Sequence, residues 1–390
     1  MLKRVLMVLD EEFPPDDRVY KEAQTLIQNG FLLTIACYTQ SDKPSEEWFD
    51  GIHIIRKRIP KLIYKSSVAA LKLPIYFTWW KRYLNEIFKK EQFDIIHIHD
   101  LPLAEVGVYF KNKLGLKLVV DLHENWPAYL ERAYHVQSFL GKVLSSNKQW
   151  RNYEKEILQQ ADLVITVVEE MRDRLGLLGL RQQKMVVLQN TIVPERFPFF
   201  GYKPDPSYFT LFYAGDIARI RGFQTILDDL VEAKSHIPKL RVWVVGKGNY
   251  LEGLKTLTKE KGLKDTFEFL GWQPLSEVLK LMEQADIGLM PHLRWEQNDC
   301  SSPNKLYQYM LKEIPSLCSP SNSVNRILEE TQSGLVYDYN IKGNFCEKLV
   351  KLFKDTDLRI KMGKNGKDWV MRKYNWEKGS QDFIFTYNEL

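Results

Sequence analysis

The stretch Cys300-Ser-Ser-Pro-Asn-Lys-Leu-Tyr-Gln-Tyr-Met310 combines a helix start with a lysine in its first turn. Ser302 is a preferred N-cap residue, and Pro303 suits the first helical position. The apolar face follows the helical repeat, with Leu306, Tyr309 and Met310. Free N–H groups at such a helix start, together with Lys305, suit phosphate oxygens. From this stretch alone, an ordinary capped helix with a solvent-facing start is an equally good interpretation.

A buried strand is predicted just before this helix. The run Ala285-Asp-Ile-Gly-Leu-Met-Pro291 is apolar and ends in a proline. A strand, a loop and a helix start carrying a lysine form the arrangement with which open α/β sheets bind nucleotides at the carboxyl ends of their strands. The sequence therefore indicates a nucleotide site in this half of the chain.

The composition is that of a globular protein with two domains. A chain of 390 residues is too long for one compact core. Its apolar fraction of 44% and its 10 Trp residues indicate packed interiors rather than disorder. The four cysteines include no Cys-x-x-Cys pair, which suits a reducing compartment and predicts neither a zinc site nor a disulfide framework.

The start of the chain, residues 1–9, is basic and then apolar, but Asp10 ends the run too early for a secretory signal. We predict a first buried strand there instead. No run reaches the ~18 apolar residues that a spanning helix needs. These features predict a cytoplasmic protein, and the net charge of +5 does not by itself indicate a nucleic-acid partner.

Strand-like apolar runs alternate with helical patterns in the first half of the chain. The predicted strands are 5–9, 31–37, 93–100, 116–122, 161–167 and 184–188, and residues 18–29 read as a helix. This alternation predicts a parallel sheet with helices on both faces. Polar residues follow the strands, where such a sheet binds ligands: Arg18, His99, Asp100, His123, Glu124 and Asn190.

Histidines near these strand ends have competing interpretations. His97, His99 and His123, with Asp100, contain a His-x-His pair that is a conceivable metal site. Such groups are more often hydrogen-bonding partners, and we predict no metal. His123 stands where a strand opens into a loop, which favours a substrate contact. A histidine satisfied within its own loop is the alternative.

Residues 56–90, from Arg56 to Lys90, are rich in basic and aromatic side chains. That combination fits a helix lying on an anionic membrane surface, so the protein is expected to be peripheral at the inner face of the plasma membrane. A core-packing helix with a solvated basic face is at least as good an interpretation. Nucleic-acid binding is a third, but no nucleic-acid-binding module accompanies the charge.

The second half repeats the strand and helix series after a proline- and aromatic-rich stretch. Residues 192–208 show no periodic pattern and read as an interdomain linker. The predicted strands are 209–213, 241–245, 266–270, 287–290, 316–319 and 334–337. Glycines at strand ends, Gly215, Gly246 and Gly248, let backbone approach a ligand closely. Arg219 and Arg221 offer fixed positive charge for a diphosphate.

The whole series of phrases resembles the retaining, nucleotide-sugar-dependent glycosyltransferases of family 4, which have the GT-B fold. The residues that carry the resemblance are Asp17-Arg-Val-Tyr-Lys-Glu-Ala23, Asp94-Ile-Ile-His-Ile-His-Asp100, Val120-Asp-Leu-His-Glu124, Gly215 with Arg221-Gly222, Val245-Gly-Lys-Gly248, Phe269-Leu-Gly271, Ala285-Asp-Ile-Gly288, Ser302-Pro-Asn-Lys-Leu-Tyr-Gln-Tyr-Met310 and Tyr374-Asn-Trp376. Each phrase is degenerate alone, but the series spans nearly the whole chain in the family's order.

The resemblance implies an α/β fold of two Rossmann-like parallel-sheet domains facing a cleft. Residues 1–193 would form the acceptor domain and 194–208 the linker. Residues 209–375 would form the domain that binds the nucleotide-sugar donor. The final helix, 376–390, would cross back to the first domain.

The resemblance also implies roles for individual residues. The catalytic set would be His123, Arg221 and Lys305, with His123 near the reacting carbon of the sugar. Donor-binding positions would be Arg18, Gly215, Asp216, Gly246, Gly248, Gly271, Trp272, Asp299, Ser302, Asn304, Lys305 and Gln308. Of these, Gln308 corresponds to the family's ribose-binding glutamate. Candidates on the acceptor side would be His99, Asp100 and Glu124.

Three positions depart from the family pattern. The usual pair of glutamates, separated by seven residues, falls on Cys300 and Gln308, and only the neighbouring Asp299 offers a carboxylate. The Gly-Gly of the first strand-to-helix loop is replaced by the stretch 14–18. The arginine that often follows the glycine of the fifth motif is Asp216. These changes bear on donor geometry and on activity itself.

The expected reaction moves a sugar from a nucleoside diphosphate, UDP- or GDP-linked, to an acceptor hydroxyl with retention of configuration. The acceptor would be a glycan or a lipid-linked molecule in cell-surface polysaccharide or glycolipid assembly. No cofactor or metal is expected, because the cations and the helix start would stabilise the leaving diphosphate. The alternatives are a sugar-nucleotide epimerase or hydrolase on the same fold, and a silent scaffold that binds a partner or a membrane.

Overall fold

The computed structural model describes residues 2–132 and 145–390. The chain forms two compact units. The first consists of Met1–Asn190 and Gly379–Leu390, and the second of Thr191–Lys378. The chain's last segment thus belongs with the first unit from Gly379 onward, three residues later than the expected start of the returning helix.

The first unit is built on an eight-stranded sheet of order β3-β4-β2-β1-β5-β6-β7-β8. The strands are β1 Arg4–Leu9, β2 Leu32–Thr39, β3 Glu46–Phe49, β4 Ile52–Arg58, β5 Ile95–His99, β6 Lys117–Leu122, β7 Leu163–Thr166 and β8 Met185–Val187. All neighbours pair in parallel except β3, which is antiparallel to β4. The predicted parallel sheet is confirmed, whereas the β3–β4 hairpin was not expected.

Helices cover the faces of this sheet. They are α1 Asp17–Gln28, α2 Lys61–Ser66, α3 Ile75–Phe88, α4 Ala104–Leu114, α5 Trp126–Arg132, α6 Asn147–Leu158 and α7 Glu169–Leu177. The side chain of Asp16 caps α1 by accepting from the backbone N–H of Val19 at 2.9 Å. Strands β1 and β5 are almost completely buried, as a parallel sheet covered on both faces requires.

The second unit contains a six-stranded parallel sheet of order β11-β10-β9-β12-β13-β14. Its strands are β9 Phe209–Ala214, β10 Leu240–Val245, β11 Phe267–Gly271, β12 Ile287–Met290, β13 Ser316–Cys318 and β14 Gly334–Val336. They follow the predicted strands to within one or two residues at each end. The order reverses direction at β9 and β12, and such a switch point is where open α/β sheets bind their ligands.

The helices of the second unit and of the chain's end complete the fold. They are α8 Leu227–His236, α9 Leu251–Glu260, α10 Leu275–Glu283, α11 Glu296–Asp299, α12 Asn304–Leu311, α13 Asn322–Thr331, α14 Asn344–Lys354, α15 Thr356–Arg372, α16 Trp376–Gly379 and α17 Gln381–Asn388. Within the residues that the structure describes, no helix combines the length and the apolar character needed to cross a membrane.

The stretch 194–208, predicted to be a linker, is attached to the second unit by a buried ion pair. Lys312 Nζ lies 2.6 Å from a carboxylate oxygen of Glu283 and donates to the carbonyl oxygen of Pro198. Glu283 also accepts from the backbone N–H groups of Phe200 and Tyr202. Because these bonds satisfy a buried charge pair, the stretch packs as part of the second unit.

Candidate active site

The helix that carries Lys305 starts later than the sequence predicts. Helix α12 begins at Asn304, and Pro303 occupies the cap position without a side-chain cap. Ser302 is therefore not the N-cap, because Pro303 has a ψ angle of 72°, outside the helical range. The Ser302 hydroxyl is buried and has no hydrogen-bond partner among the described residues. A polar group left in this state is a candidate for a ligand contact.

Lys305 lies against the end of strand β9. Its ammonium is 5.3 Å from the centre of the Tyr213 ring. A Cβ atom placed on Gly215 would come within 2.7 Å of Lys305 Cε, so a side chain there would displace the end of this lysine, and the φ angle of +149° also favours glycine. Burial, together with the nearby Arg221 guanidinium, lowers the pKa of Lys305 to about 8. In this part of the described chain, no carboxylate lies within ion-pairing distance of Lys305.

Arg221 ends a short helical turn, Arg219–Arg221, beside the same strand end. Its Nε atom is 3.8 Å from Asp216, and its side chain is 32% exposed. Gly222 follows with φ of +75°, and a Cβ atom there would lie 1.8 Å from the carbonyl oxygen of Pro291. This close approach holds the arginine loop against the end of β12. The structure therefore brings Arg221 and Lys305 together at the switch point of the sheet.

Two of the predicted ligand-binding glycines have a different role. A Cβ atom on Gly246 would lie 1.9 Å from the carbonyl oxygen of Gly215, and one on Gly248 would lie 2.2 Å from that of Ile217. The space beside them is thus filled by protein backbone. We correct the expectation that they admit a ligand: they let the loop after β10 pack against the loop after β9.

His292 belongs to this site and was missed in the sequence. Its ring meets the Tyr213 ring edge to face, with 6.4 Å between ring centres. Burial, with the Lys305 and Arg221 cations nearby, lowers the pKa of His292 well below its usual value, so the ring is neutral. Its Nε2 atom has no partner in the described parts of the chain. His292 follows Pro291 at the end of a predicted strand, and this position could have identified it as a site residue from the sequence.

Other predicted donor-binding residues are less close to these cations or are engaged elsewhere. Trp272 is 68% exposed just after β11, and Gln308 is half-buried on α12. The predicted donor-binding role of Asp299 is wrong. Its carboxylate accepts from the Arg294 guanidinium at 3.2 Å and from the backbone N–H of Asn322 at 2.8 Å, so it joins two loops. Cys300 is buried, and Asn304 is exposed at the helix start.

The prediction for Arg18 of the first unit is wrong. The sequence suggested that it faces the donor phosphates, but the residue is only 4% exposed. Its guanidinium donates to both carboxylate oxygens of Asp121, at 3.2 and 2.8 Å, and to the carbonyl oxygen of Leu188 at 2.9 Å. A cation held by a buried bidentate pair positions its neighbours and is not open to a ligand.

His123 stands beside the same carboxylate. Its Nε2 atom is 2.8 Å from Asp121 Oδ2, and its Nδ1 atom is 3.6 Å from Asp100 Oδ2. Burial disfavours the charged ring, but Asp100 and Asp121 outweigh it and raise the pKa of His123 to about 10. With 16% of its side chain exposed, His123 is the group of this network that a ligand can reach as a cation.

The candidates for the acceptor side divide into buried and accessible residues. His99 is a correction, because it is completely buried beneath His123, with its Nδ1 atom 3.2 Å from His123 Nε2. The Asp100 side chain is 32% exposed, and Glu124 is half-buried. Asp10 was missed: burial raises its pKa to about 7, and it accepts a hydrogen bond from the Tyr76 hydroxyl. It follows β1 directly, as strand-end ligand positions do.

A buried cluster of metal-ligand types lies below His123. Glu22, His97, His99 and Asp121 each bring one ligand atom to within 4.8 Å of the others. The Arg18 guanidinium is 3.0 Å from Glu22 and 2.8 Å from Asp121, so a fixed cation already faces both carboxylates. This grouping differs from the His97, His99, His123 and Asp100 set considered from the sequence, and we interpret it as an ion-pair network.

The chain matches two family descriptions in succession. Residues 18–196 match Glycosyltransferase Family 4, and residues 197–369 match Glycosyl transferases group 1. These matches cover most of the chain in the order of its two units. The protein therefore belongs to the family 4, group 1 glycosyltransferases, as the sequence motifs indicated.

Similar proteins agree with this assignment. A glycosyltransferase of Escherichia coli K12 named for colanic acid biosynthesis, WcaL, is 22% identical over 242 residues, which are 61% of this chain and 60% of WcaL. The match thus spans less than two thirds of that relative's length. Sucrose-phosphate synthase from Thermosynechococcus elongatus has a similar structure, with a TM-score of 0.75, 17% identity and coverage of 99% and 98% of the two chains.

A further similar structure contains a nucleotide. HepE of Anabaena, solved in complex with UDP, has a TM-score of 0.72 at 14% identity, with both chains completely covered. At these identities the likeness shows the fold alone. It confirms the prediction of a GT-B fold, and the roles of single residues depend on the geometry described above.

Proposed function

We propose that this protein is a retaining glycosyltransferase that moves a sugar from a nucleoside diphosphate to an acceptor hydroxyl in cell-surface glycan assembly. One observation carries the proposal. Arg221 and Lys305 meet at the switch point of the second sheet, and the described residues offer them only one carboxylate, that of Asp216 at 3.8 Å from Arg221. Two partly buried cations with so little compensation favour an anionic ligand.

The diphosphate would be held by several kinds of group. Arg221 and Lys305 would supply charge, and the Ser302 hydroxyl and the neutral His292 would supply hydrogen bonds. The backbone N–H groups at the start of α12 would add their partial charge. Trp272, exposed after β11, is a candidate to contact the base, which we propose to be uracil or guanine, and Gln308 a candidate to contact the ribose.

The chemistry of transfer puts its developing charge on the leaving diphosphate. Preorganised cations at that position stabilise the transition state more than the ground state. The leaving phosphate oxygen would take the acceptor's proton on the face where the new bond forms, which retains the configuration. Because Arg221 and Lys305 supply this charge, we propose that the reaction uses no bound metal.

The first unit would serve the sugar and the acceptor. His123 would present a positive charge to the donor sugar. The partly exposed carboxylates, Asp100 and Glu124, would accept hydrogen bonds from sugar hydroxyls. WcaL's name places that relative in polysaccharide assembly, which supports a glycan or lipid-linked acceptor here. The likeness to HepE in its UDP complex supports a nucleotide-sugar donor.

We further propose that α2 and the loop after it touch an anionic membrane surface. The basic and aromatic stretch divides in the structure. Arg56 is buried in β4, and the aromatic residues of α3 face the core, with Tyr76, Phe77, Trp80 and Tyr83. The large apolar residues left exposed lie in and after α2, together with exposed basic residues: Leu62, Leu73 and Ile75, with Lys61, Lys65 and Lys72.

Exposed apolar side chains beside lysines suit a headgroup region, and residues 51–85 contain no Asp or Glu to oppose binding. Residues 61–75 comprise α2, the turns that follow it and the first residue of α3, and we call this whole segment the basic loop. A cytoplasmic protein held at the inner face of the membrane would meet a lipid-linked acceptor there.

A panel of UDP- and GDP-sugars tests the proposed function. Transfer of the sugar to a lipid or glycan acceptor, with the anomeric configuration retained in the product's NMR spectrum, is the expected result. Release of a free or epimerised sugar without an acceptor would instead identify a hydrolase or epimerase. Absence of binding to every member would identify a silent scaffold.

A further inference from the structure

The carboxylate of Asp121 joins two cations of the first unit. Its Oδ1 atom accepts from Arg18 Nη2 at 2.8 Å, and its Oδ2 atom accepts from Arg18 Nε at 3.2 Å. The same Oδ2 atom lies 2.8 Å from His123 Nε2. Asp121 is completely buried at the end of β6. Its orientation is therefore set by its protein partners, with Arg18 holding both carboxylate oxygens.

The other ring nitrogen of His123 also faces a carboxylate. The Nδ1 atom of His123 is 3.6 Å from Asp100 Oδ2, and the backbone N–H of His123 donates to Asp100 Oδ1 at 3.2 Å. Asp100 has φ of +67°, a conformation that a non-glycine residue adopts when its surroundings hold it there. Both nitrogens of one imidazole are thus placed to keep a proton.

We propose that Asp121 is a positioning residue, which fixes the ring of His123 and keeps both ring nitrogens protonated, so that His123 acts as a fixed cation and not as a general base. The role of that cation toward the donor rests on the proposed function. The orientation and the protonation of His123 do not, because they follow from contacts within the first unit.

The charges around the ring support this assignment. The groups that face the network come from several elements: Asp10 and Glu11 after β1, Asp16 before α1, Arg18 and Glu22 of α1, His97 and His99 of β5, Asp100, Asp121 and Tyr387 of α17. Burial lowers the pKa of His97 and of His99, so both are neutral. Burial and Asp121 raise the pKa of Glu22 well above its usual range, while the Arg18 guanidinium, 3.0 Å away, opposes that rise.

Two carboxylates face the His123 ring, and one of them also holds Arg18. Arg18 and His123 carry the positive charges, and Asp121 and Asp100 the negative ones. Although burial opposes its ionisation, the Arg18 guanidinium and His123 hold the pKa of Asp121 well below its usual range. Burial raises the pKa of Glu11, and the charged His123 ring opposes that rise, so Glu11 and the charged ring favour each other. Asp100 and Asp121 both favour the charged His123 ring.

Histidine-ring NMR on the full chain tests the proposal directly. The spectra need isotope-labelled histidine, and the His123 signals are assigned by their loss in His123→Gln. In the wild type we expect the ring to stay doubly protonated from pH 6 to pH 9. Asp121→Asn keeps the shape of the side chain but removes its charge. The titration midpoint of the His123 ring should therefore fall by about 1 to 3 pH units, the usual effect of losing one adjacent opposite charge.

Two further variants keep the test interpretable. Asp100→Asn removes the more exposed carboxylate and should give a smaller fall, which provides the answer if Asp121→Asn does not fold. Tyr387→Phe is the matched control. It removes the hydroxyl 3.2 Å from His97 Nδ1 in the same buried network and should leave the His123 midpoint unchanged.

The outcomes separate this proposal from the proposed function. A wild-type His123 midpoint near 6.5, or an unchanged His123 midpoint in a folded Asp121→Asn variant, would overturn it; if that variant does not fold, an unchanged midpoint in Asp100→Asn would do so. If the midpoint shifts as expected but the wild type binds no nucleotide, the positioning role stands and the glycosyltransferase function fails. If the enzyme is active, Asp121→Asn should lower kcat about tenfold and leave the Kd for UDP within twofold, since UDP's contacts are assigned to the second unit.

Discussion

The two units place charged groups at equivalent sheet edges but treat them differently. In the first unit the charges of Arg18 and His123 are matched by Asp121 and Asp100 at short distances. In the second unit Arg221 has one carboxylate at 3.8 Å, and Lys305 is 5.3 Å from the Tyr213 ring with no ion pair in the described chain. The first edge is electrostatically complete as it stands. The second becomes complete only when an anion arrives, which is why we assign the diphosphate to it.

The largest expected effect comes from removing the uncompensated cations. Arg221→Ala or Lys305→Ala should each lower turnover about a hundredfold, the scale of losing one preorganised charge contact at a leaving group. Initial rates of sugar transfer from the donor found in the panel provide the measurement. Arg219 was also a sequence candidate for the diphosphate, but its exposed guanidinium lies over the Tyr250 ring at 5.7 Å, so Arg219→Ala is the matched control and should lose little. Near-normal turnover in both site variants would remove the second edge from the mechanism.

A smaller effect is expected on membrane binding by the basic loop, which lies outside the candidate active site. Lys61→Glu combined with Lys65→Glu should weaken binding to vesicles of anionic phosphatidylglycerol roughly thirtyfold, because each basic residue near such a surface contributes about 1 kcal/mol. Co-sedimentation with these vesicles, and with neutral phosphatidylcholine vesicles, measures it. The control pair Lys259→Glu and Lys264→Glu carries the same charge change at exposed positions of the second unit. Equal loss in the two pairs would mean that net charge, and not the basic loop, governs binding.

The smallest expected effect is a pH dependence of UDP affinity, which should come from the sheet edge of the second unit alone. The pKa of Lys305 in the ligand-free protein is lowered to about 8, so this residue loses its charge as the pH rises from 7 to 9. UDP binds the charged form, so its affinity should fall about tenfold over that interval, as expected for one proton with this pKa. In Lys305→Arg the guanidinium stays charged, and the decline should disappear. A decline of the same size in that variant would assign it to another group.

The sequence predicted the sheets well because their strands are buried on both faces and read as continuous apolar runs. It failed on β3 and β4, where the half-polar run 46–58 hides a hairpin and places Arg56 in the interior. The basic loop was only partly recognised for a related reason. Composition showed basic and aromatic residues together, but only the fold shows that α3 buries its aromatic face.

The site was predictable in position and less so in orientation. Strand ends predicted that Lys305, Arg221 and His123 lie at the carboxyl edges of the two sheets, and the structure places them there. They did not show which side chains turn inward. Arg18 and His99 were expected to meet ligands, yet a buried carboxylate, Asp121, holds the first and His123 covers the second. Ser302 satisfied the sequence rule for an N-cap, but the backbone of Pro303 delays the helix by one residue.

Calorimetric titration of UDP and GDP into the wild type and into an Arg221→Ala, Lys305→Ala double variant tests the difference between the two edges most directly. We predict that the wild type binds at least one of the two diphosphates and that the double variant loses that binding by at least a hundredfold, while Asp121→Asn retains it. Equal affinity in the wild type and the double variant, or binding lost through Asp121→Asn alone, would contradict the assignment of the diphosphate to the second unit.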